Sequence, residues 1–491
     1  MVTKKFFRYF QIFAFVSFLA FTACSEQQET TKEPNVLLIV VDDQGYADIG
    51  SAKLANDVST PNIDKLANSG VRFTQAYASS PICSPSRGGI ITGCYQQRWG
   101  TFWYGGPGLH DQQFRTIAEL LKDNNYTTGY IGKVHYGSKD HQPDHRSFPL
   151  NHGFDYFFGH TSARKHYLNH DQSLEDDFQK VKKENNKSGQ SLRQQALWEN
   201  FDKVDTIAFS TELFADKAME FIKKHSKEKF FLQLSFNAVH NFTHQLPESY
   251  LKEHNLNGYH DWDPAKEDYY EWYKAGRKPN NPEGREHYLG QLYYLDKAIG
   301  DVLNSLKTLN LDENTLVVFI SDNGGSTPIY ANNYPLRGSK YLLYEGGIRV
   351  PMIVSFPGEF KKAEISDNIV SGMDILPTIC SVTGINTPEY IDGFDLSELL
   401  TGENESLQHD TLIWDTGHET AVRAGNWKLR TAKNDGHAQY EMVALEMGEF
   451  LYDLEKDPGE QNNLITEFPE IAQSLKDVHR TWKENLTNKE E

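Results

Sequence analysis

Asn35-Val36-Leu37-Leu38-Ile39-Val40-Val41-Asp42-Asp43 is an unbroken apolar run that stops on two carboxylates. A run this short, partly β-branched and closed by turn formers, predicts a strand buried on both faces. A half-buried strand would alternate apolar and polar residues instead. Runs of the same character recur at Thr128-Gly-Tyr-Ile-Gly132, Phe230-Phe-Leu-Gln-Leu-Ser-Phe236, Thr315-Leu-Val-Val-Phe-Ile-Ser321 and Val350-Pro-Met-Ile-Val-Ser-Phe356. Between them lie amphipathic patterns over residues 116–124, 210–225 and 286–309, the last with Leu292, Leu295, Ile299, Val302, Leu303 and Leu306 at helical spacing. Strands alternating with helices predict an α/β fold with a mostly parallel sheet sandwiched by helices. Chemistry in such sheets collects at the carboxyl ends of the strands, which directs attention to the polar residues just after each run.

The chain has 491 residues, 38% of them hydrophobic and 13% aromatic, enough for a sizeable core. Its mean hydropathy of -0.61 excludes a multi-span membrane protein. A formal net charge of -19 argues against nucleic-acid binding. The same charge repels anionic substrates at long range, so any anion handled here must meet a local cluster of cations. Residues 171–200 and 253–286 are charged or Asn/Gln-rich and read as insertions or long loops. Residues 35–400 read as the main domain. Beyond 401 the pattern shortens, with Gly and Asn turns and a closing helix at 469–485, and residues 401–491 read as a smaller α+β subdomain.

Lys4, Lys5 and Arg8 precede the apolar run 12–20, and Thr22-Ala23 leads into Cys24. This is the layout of an export signal, and its end resembles a bacterial lipoprotein box. Residues 1–24 are therefore expected to be a signal, with Cys24 acylated as the mature N-terminus, and 25–34 a polar tether. An ordinary cleaved signal or an uncleaved anchor is the alternative. The expected location is the outer membrane of a bacterium, held by lipid alone. Of the remaining cysteines, Cys94 and Cys380 are either a disulfide or two buried thiols.

Two strand ends carry paired oxygen donors, Asp42-Asp43 and Ser321-Asp322-Asn323. Each alone reads equally as a turn cap; converging from neighbouring strands they suit a hard divalent cation such as calcium. Pro81-Ile-Cys83-Ser-Pro85-Ser-Arg87-Gly-Gly89 resembles the C-x-P-S-R signature of the formylglycine-dependent sulfatases of the alkaline phosphatase superfamily. The other motifs of that family follow in order: Gly132-Lys133-Val-His135-Tyr-Gly137, Asn237-Ala-Val-His240, Asp322-Asn323, and Leu336-Arg337-Gly-Ser-Lys340 running into Glu345-Gly-Gly-Ile-Arg349-Val-Pro351. Leu451-Tyr-Asp-Leu-Glu-Lys-Asp457-Pro458 resembles its C-terminal segment, so the likeness spans about residues 35–463.

The resemblance implies an alkaline-phosphatase-like fold and hydrolysis of a sulfate ester. It implies that a maturation enzyme oxidises Cys83 to formylglycine (3-oxoalanine), whose hydrate attacks sulfur. Asp42, Asp43, Cys83, Asp322 and Asn323 are then the calcium site. Arg87 holds the diol, and Lys133, His240 and Lys340 grip the sulfate. His240 or Lys340 protonates the leaving alcohol, and His135 acts as base during sulfate release. Val134 and Val239 depart from the Trp and Pro common in the family, and His244 is an unusual base beside the His240 segment. The competing readings are a phosphodiesterase or phosphonate hydrolase of the same superfamily, and a non-catalytic glycan-binding lipoprotein. The expected substrate is a sulfated polysaccharide or oligosaccharide, algal (ulvan or carrageenan) or glycosaminoglycan. Its sugar cleft is expected among the aromatic and basic residues of 98–104, 160–170 and 262–273.

Overall fold

The computed structural model describes residues 33–109, 112–161, 167–168, 180–181, 183–184, 197–204, 206–258, 263, 265–268, 271–272, 275–276, 278, 280–406, 409–434 and 445–487. The expected signal, Cys24 and nearly all of the tether lie outside the described residues, as do parts of the 160–170 and 262–273 stretches.

Ten strands form the main sheet: β1 (Asn35–Val41), β2 (Val71–Tyr77), β3 (Thr127–Lys133), β4 (Tyr156–His160), β5 (Leu197–Glu199), β6 (Asp202–Val204), β7 (Phe230–Ser235), β8 (Thr315–Ser321), β9 (Met352–Ser355) and β10 (Glu364–Ser371). They lie in the order β10-β2-β9-β8-β1-β7-β3-β4-β5-β6. The centre, β8-β1-β7-β3-β4, is parallel throughout. Every residue of β1, β7 and β8 is buried, as unbroken apolar runs require. The 350–356 run contributes only its middle, and β9 runs antiparallel to both neighbours.

The main helices are α1 (Pro61–Asn68), α2 (Cys83–Thr92), α3 (Ile117–Asp123), α4 (Ser210–Lys224), α5 (Gly284–Thr308) and α6 (Ile375–Val382). One apolar cluster packs α1, α4 and α5 against one face of the sheet, and a second packs α3 and α6 against the other. Thr116 starts α3 through a reciprocal cap: its hydroxyl accepts from the Glu119 amide while the Glu119 carboxylate accepts from the Thr116 amide. Helix α2 is buried along its whole length. A Cβ at Gly89 would stand 2.3 Å from Ser79 Oγ, so any larger residue there would force Ser79 to shift.

Strands β11 (Thr411–Asp415), β12 (Glu419–Ala424), β13 (Trp427–Ala432) and β14 (Gly448–Asp453) form an antiparallel meander, and helix α7 (Pro469–Thr487) closes the chain. Ile413, Val422, Leu429, Leu451 and the α7 residues Ala472 and Leu475 bury a small core that includes Tyr95 and Met373 of the larger body. A charged seam joins the two sheets. Lys428 Nζ lies 2.9 Å from both Glu345 Oε1 and Glu460 Oε1, with no exposure at any of the three side chains. Tyr77 donates to Glu345 Oε2 at 2.6 Å. Residues Pro34–Glu491 thus make one compact unit.

Candidate functional site

Register decides where the chemistry falls. Val41 of β1 pairs with Ser321 of β8, Val40 with Ser235 of β7, Ser235 with Gly132 of β3, and Lys133 with His160 of β4. Asp42, Asp43, Asp322, Asn323 and Lys133 are therefore delivered to one row at the carboxyl edge of the sheet. Gly132 permits the close packing this needs: it has φ 108°, and a Cβ there would meet the Ser235 carbonyl at 1.9 Å.

The expected catalytic and metal-site residues, all among the described residues, come to this edge; Cys24 lies outside them. Asp42, Asp43, Cys83 and His240 offer ligand atoms that all lie within 4.8 Å of one another. His240, expected to grip sulfate, belongs to this cluster too, with Nε2 3.6 Å from Asp43 Oδ2. Asp322 and Asn323 are tied into the same cluster. Asp43 N donates to Asp322 Oδ1 at 3.3 Å, and Asn323 Nδ2 donates to Asp43 Oδ1 at 2.8 Å. Cys83 is the first residue of α2, Arg87 lies one turn along, and Lys340 reaches in from the loop after β8.

Acids and cations interleave. Lys133 Nζ bonds Asp42 Oδ2, and Lys340 Nζ lies 2.7 Å and 2.8 Å from the two Asp43 oxygens. Arg87 Nε donates to Asp322 Oδ2 at 2.8 Å, and its Nη1 donates to the Lys133 carbonyl and to Ser235 Oγ, both at 3.0 Å. Most of the Arg87 fork therefore braces the site, leaving Nη2 for a further acceptor. Burial works against the Lys340 charge, but Asp43 beside it holds the ammonium well above its usual range. Burial, with Asp42 nearby, raises the Asp322 carboxyl. The local cation cluster demanded by an acidic chain is present.

Burial pushes the Cys83 thiol up to about 12, even though Lys133 and Lys340 pull it down. At neutral pH it is a thiol and a poor nucleophile. His135 is held well below its ordinary value, first by burial and then by Lys133, Arg87 and Lys340. It is a neutral imidazole whose buried Nδ1 has no hydrogen-bond partner among the described residues, the condition for accepting a proton. Two buried oxygens, Asp42 Oδ1 and Asn323 Oδ1, also lack hydrogen-bond partners among the described residues. Orphaned acceptors are costly; oxygen donors converging from two strand ends fit a hard divalent cation, which satisfies them.

Several supporting residues were not singled out from the sequence. Ser235 and Tyr130 brace Arg87 and Lys133: the Tyr130 hydroxyl donates to the Lys133 carbonyl at 2.6 Å and to Ser235 Oγ at 3.2 Å. Tyr167 hydroxyl lies 3.0 Å from the carbonyls of both Asn237 and His240, fixing the His240 turn. In that turn the Ala238–Val239 peptide is cis, and its groups exchange hydrogen bonds with the Asp42 backbone at 2.9 and 2.7 Å. Asp140 Oδ2 accepts from the amides of Tyr136 at 2.9 Å and Gly137 at 3.5 Å, holding the turn after His135. Ser235 was within reach of the strand-end rule, since it stands one residue before the end of the 230–236 run. Nothing near Tyr167 in sequence signals its role. Cys94 and Cys380 are buried and are not joined to each other.

A mostly parallel sheet carrying this cluster of acids, cations and a helix-start cysteine at its carboxyl edge defines a hydrolase of the alkaline phosphatase superfamily. Within it the chain belongs to the sulfatase family. The family model described as sulfatase matches residues 34–385, and that described as N-sulphoglucosamine sulphohydrolase, C-terminal, matches 338–490. Mouse (Mus musculus) arylsulfatase J is 28% identical, over 91% of this chain and 75% of its own. The N-acetylgalactosamine-6-O-sulfatase of Bacteroides thetaiotaomicron is 27% identical, over 94% and 96%. The crystal structure of Ps i-CgsB in complex with k-i-k-neocarrahexaose superposes with a TM-score of 0.75 at 27% identity, covering 92% of this chain and 93% of that one. The protein is an enzyme, and sulfate ester hydrolysis is its class of reaction.

Proposed function

We propose that the enzyme removes sulfate from a sulfated polysaccharide or oligosaccharide, using a formylglycine made from Cys83 and a calcium ion. The observation that carries this reading is Cys83 itself, set at the start of a buried helix within 4.8 Å of Asp42, Asp43 and His240 donors. Asp42, Asp43, Asp322 and Asn323 would hold the ion. Bound calcium supplies Lewis-acid polarisation of the sulfate, and the formylglycine hydrate supplies the attacking oxygen.

The chain's own residues do the rest. Lys133 and Lys340, already balanced against Asp42 and Asp43, neutralise the sulfate oxygens as charge builds on them. Arg87 locks Asp322 through Nε, and its Nη2, 3.9 Å from Asp42 Oδ1, would hold the diol. His240 lends a proton to the departing sugar oxygen, and His135, neutral, takes one as sulfate leaves.

The saccharide class is supported by two similar proteins: the Bacteroides relative is named for an N-acetylgalactosamine sulfatase, and the structural neighbour holds a neocarrahexaose. Algal polysaccharides of the ulvan or carrageenan type and glycosaminoglycans remain the classes to screen. The same reading takes the chain as an exported lipoprotein acylated at Cys24 and matured by a formylglycine-generating enzyme. Peptide mass spectrometry across Cys83, after co-expression with such an enzyme, tests the proposal. Conversion of the thiol to an aldehyde is expected. An unmodified Cys83 in protein that still hydrolyses sulfate esters overturns it.

A further inference from the structure

Beside the sulfate cluster lies a group of aromatic rings that the reaction itself does not use. Tyr341 follows Lys340 directly, and the Lys340 ammonium sits 5.5 Å from its ring centroid. The Tyr341 amide donates to the Pro81 carbonyl at 2.8 Å, two residues from Cys83. Its backbone is left-handed (φ 73°), a conformation a bulky residue adopts at a cost and which concentrates at functional sites. Trp103 packs 5.9 Å from Tyr341, 5.9 Å from Tyr104 and edge-on at 5.3 Å to His418. The 101–106 turn carrying Trp103 is moored on the opposite side: Ser138 N donates to the Gly106 carbonyl at 3.1 Å, three residues past His135. The rings thus span the flank of the site from Lys340 towards His135. Trp103, Tyr341 and His418 are half-buried, and Tyr104 is 44% exposed.

We propose that Trp103, Tyr104 and Tyr341 form a stacking platform for the pyranose ring bearing the scissile sulfate, with His418 buttressing Trp103. A pyranose presents C–H bonds on its faces, and these meet the negative face of an aromatic ring favourably. Lys133 and Lys340 grip the sulfate, and the adjoining rings then orient the sugar rather than a second anion. The platform rests on the saccharide-sulfatase reading and names the residues that select the sugar.

The test uses the Cys83→Ala full-length chain, which binds without turnover. Carrageenan and chondroitin sulfate hexasaccharides and inorganic sulfate are each titrated by calorimetry. Adding Trp103→Ala is expected to raise the hexasaccharide Kd about tenfold or more, and Trp103→Phe to restore most of it. Inorganic sulfate affinity is expected to stay the same in all three. An unchanged hexasaccharide Kd in Trp103→Ala overturns the platform, as does an equal loss for inorganic sulfate. Binding of neither hexasaccharide overturns it too; sulfate release from an aryl ester by the wild-type enzyme then shows that the sulfatase reading survives that failure.

Discussion

Replacing Lys428 with Met removes the ammonium held 2.9 Å from two buried carboxylates, Glu345 and Glu460. Removing one partner of a buried ion pair costs about 3–5 kcal/mol, because the remaining charge is left without compensation. The two acids do not respond alike. Burial raises Glu345, but Lys428 with Arg349 and Arg423 outweighs it and holds the carboxyl low, and Arg349 remains 3.6 Å away in the variant. Glu460 is already raised, by burial first and then by Glu345, with Lys428 opposing. Without Lys428 its folded-state pKa rises further above the unfolded value. A group so raised contributes stability below its unfolded pKa and loses it as pH rises through the folded one. Wild-type Glu460 already titrates at about 7, so the cost of Lys428→Met should grow by no more than about 1.4 kcal/mol between pH 5 and pH 8, on top of a pH-independent loss that brings it to about 3–5 kcal/mol near pH 8. In a chain this long that is a Tm drop of roughly 3–5 °C. Chemical denaturation at both pH values measures it, and adding Glu460→Gln should recover at least half of the loss at pH 8. A cost under about 1 kcal/mol at pH 8, or a double variant no more stable than the single, refutes the reasoning.

Cys83→Ala and Cys83→Ser should both abolish turnover while leaving the thermal transition within about 2 °C of wild type, since each removes little buried volume; wild-type-like rates in either reject the nucleophile assignment. Chelation should remove activity, and calcium should restore it along with a measurable rise in Tm, because a ligand that binds only the folded state stabilises it; an unaffected metal-free preparation rejects the ion. Burial raises the Asp140 carboxyl to about 7 in the folded state. The folded chain holds that proton more tightly than the unfolded one, so this group's stability contribution falls from about pH 4 to 7. Asp140→Asn should flatten that fall, by no more than about 3 kcal/mol, in a comparison of denaturation curves at pH 5 and 7.5; parallel wild-type and variant profiles reject it.

The central sheet was legible because doubly buried strands need unbroken apolar runs, and β1, β3, β7 and β8 have them. Strand β2, Val-Arg-Phe-Thr-Gln-Ala-Tyr, escaped that criterion since part of it remains half-exposed. Strand β5 falls in the stretch 171–200 that polarity assigned to loop. It is three residues long and pairs β4 to β6 at the sheet edge. The reactive residues were legible because their types are chemically obligatory and their motifs sit at strand ends. Their braces were not. Tyr167 acts through a hydroxyl on two backbone carbonyls, and Asp140 acts on two amides, contacts that any of several residue types could make.

The 2% exposure of Cys83 has a consequence in time. The residues that bury this neighbourhood come late in the chain: Asp322, which pairs with Arg87, lies 235 residues beyond it. At about 5–20 residues per second, synthesis of that interval takes on the order of tens of seconds. The Cys83 motif therefore emerges long before the partners that enclose it. On the proposed chemistry, that interval is when a maturation enzyme can reach the thiol, and the arrival of β8 ends it. The yield of active enzyme in a given host is then set by a race between oxidation and folding.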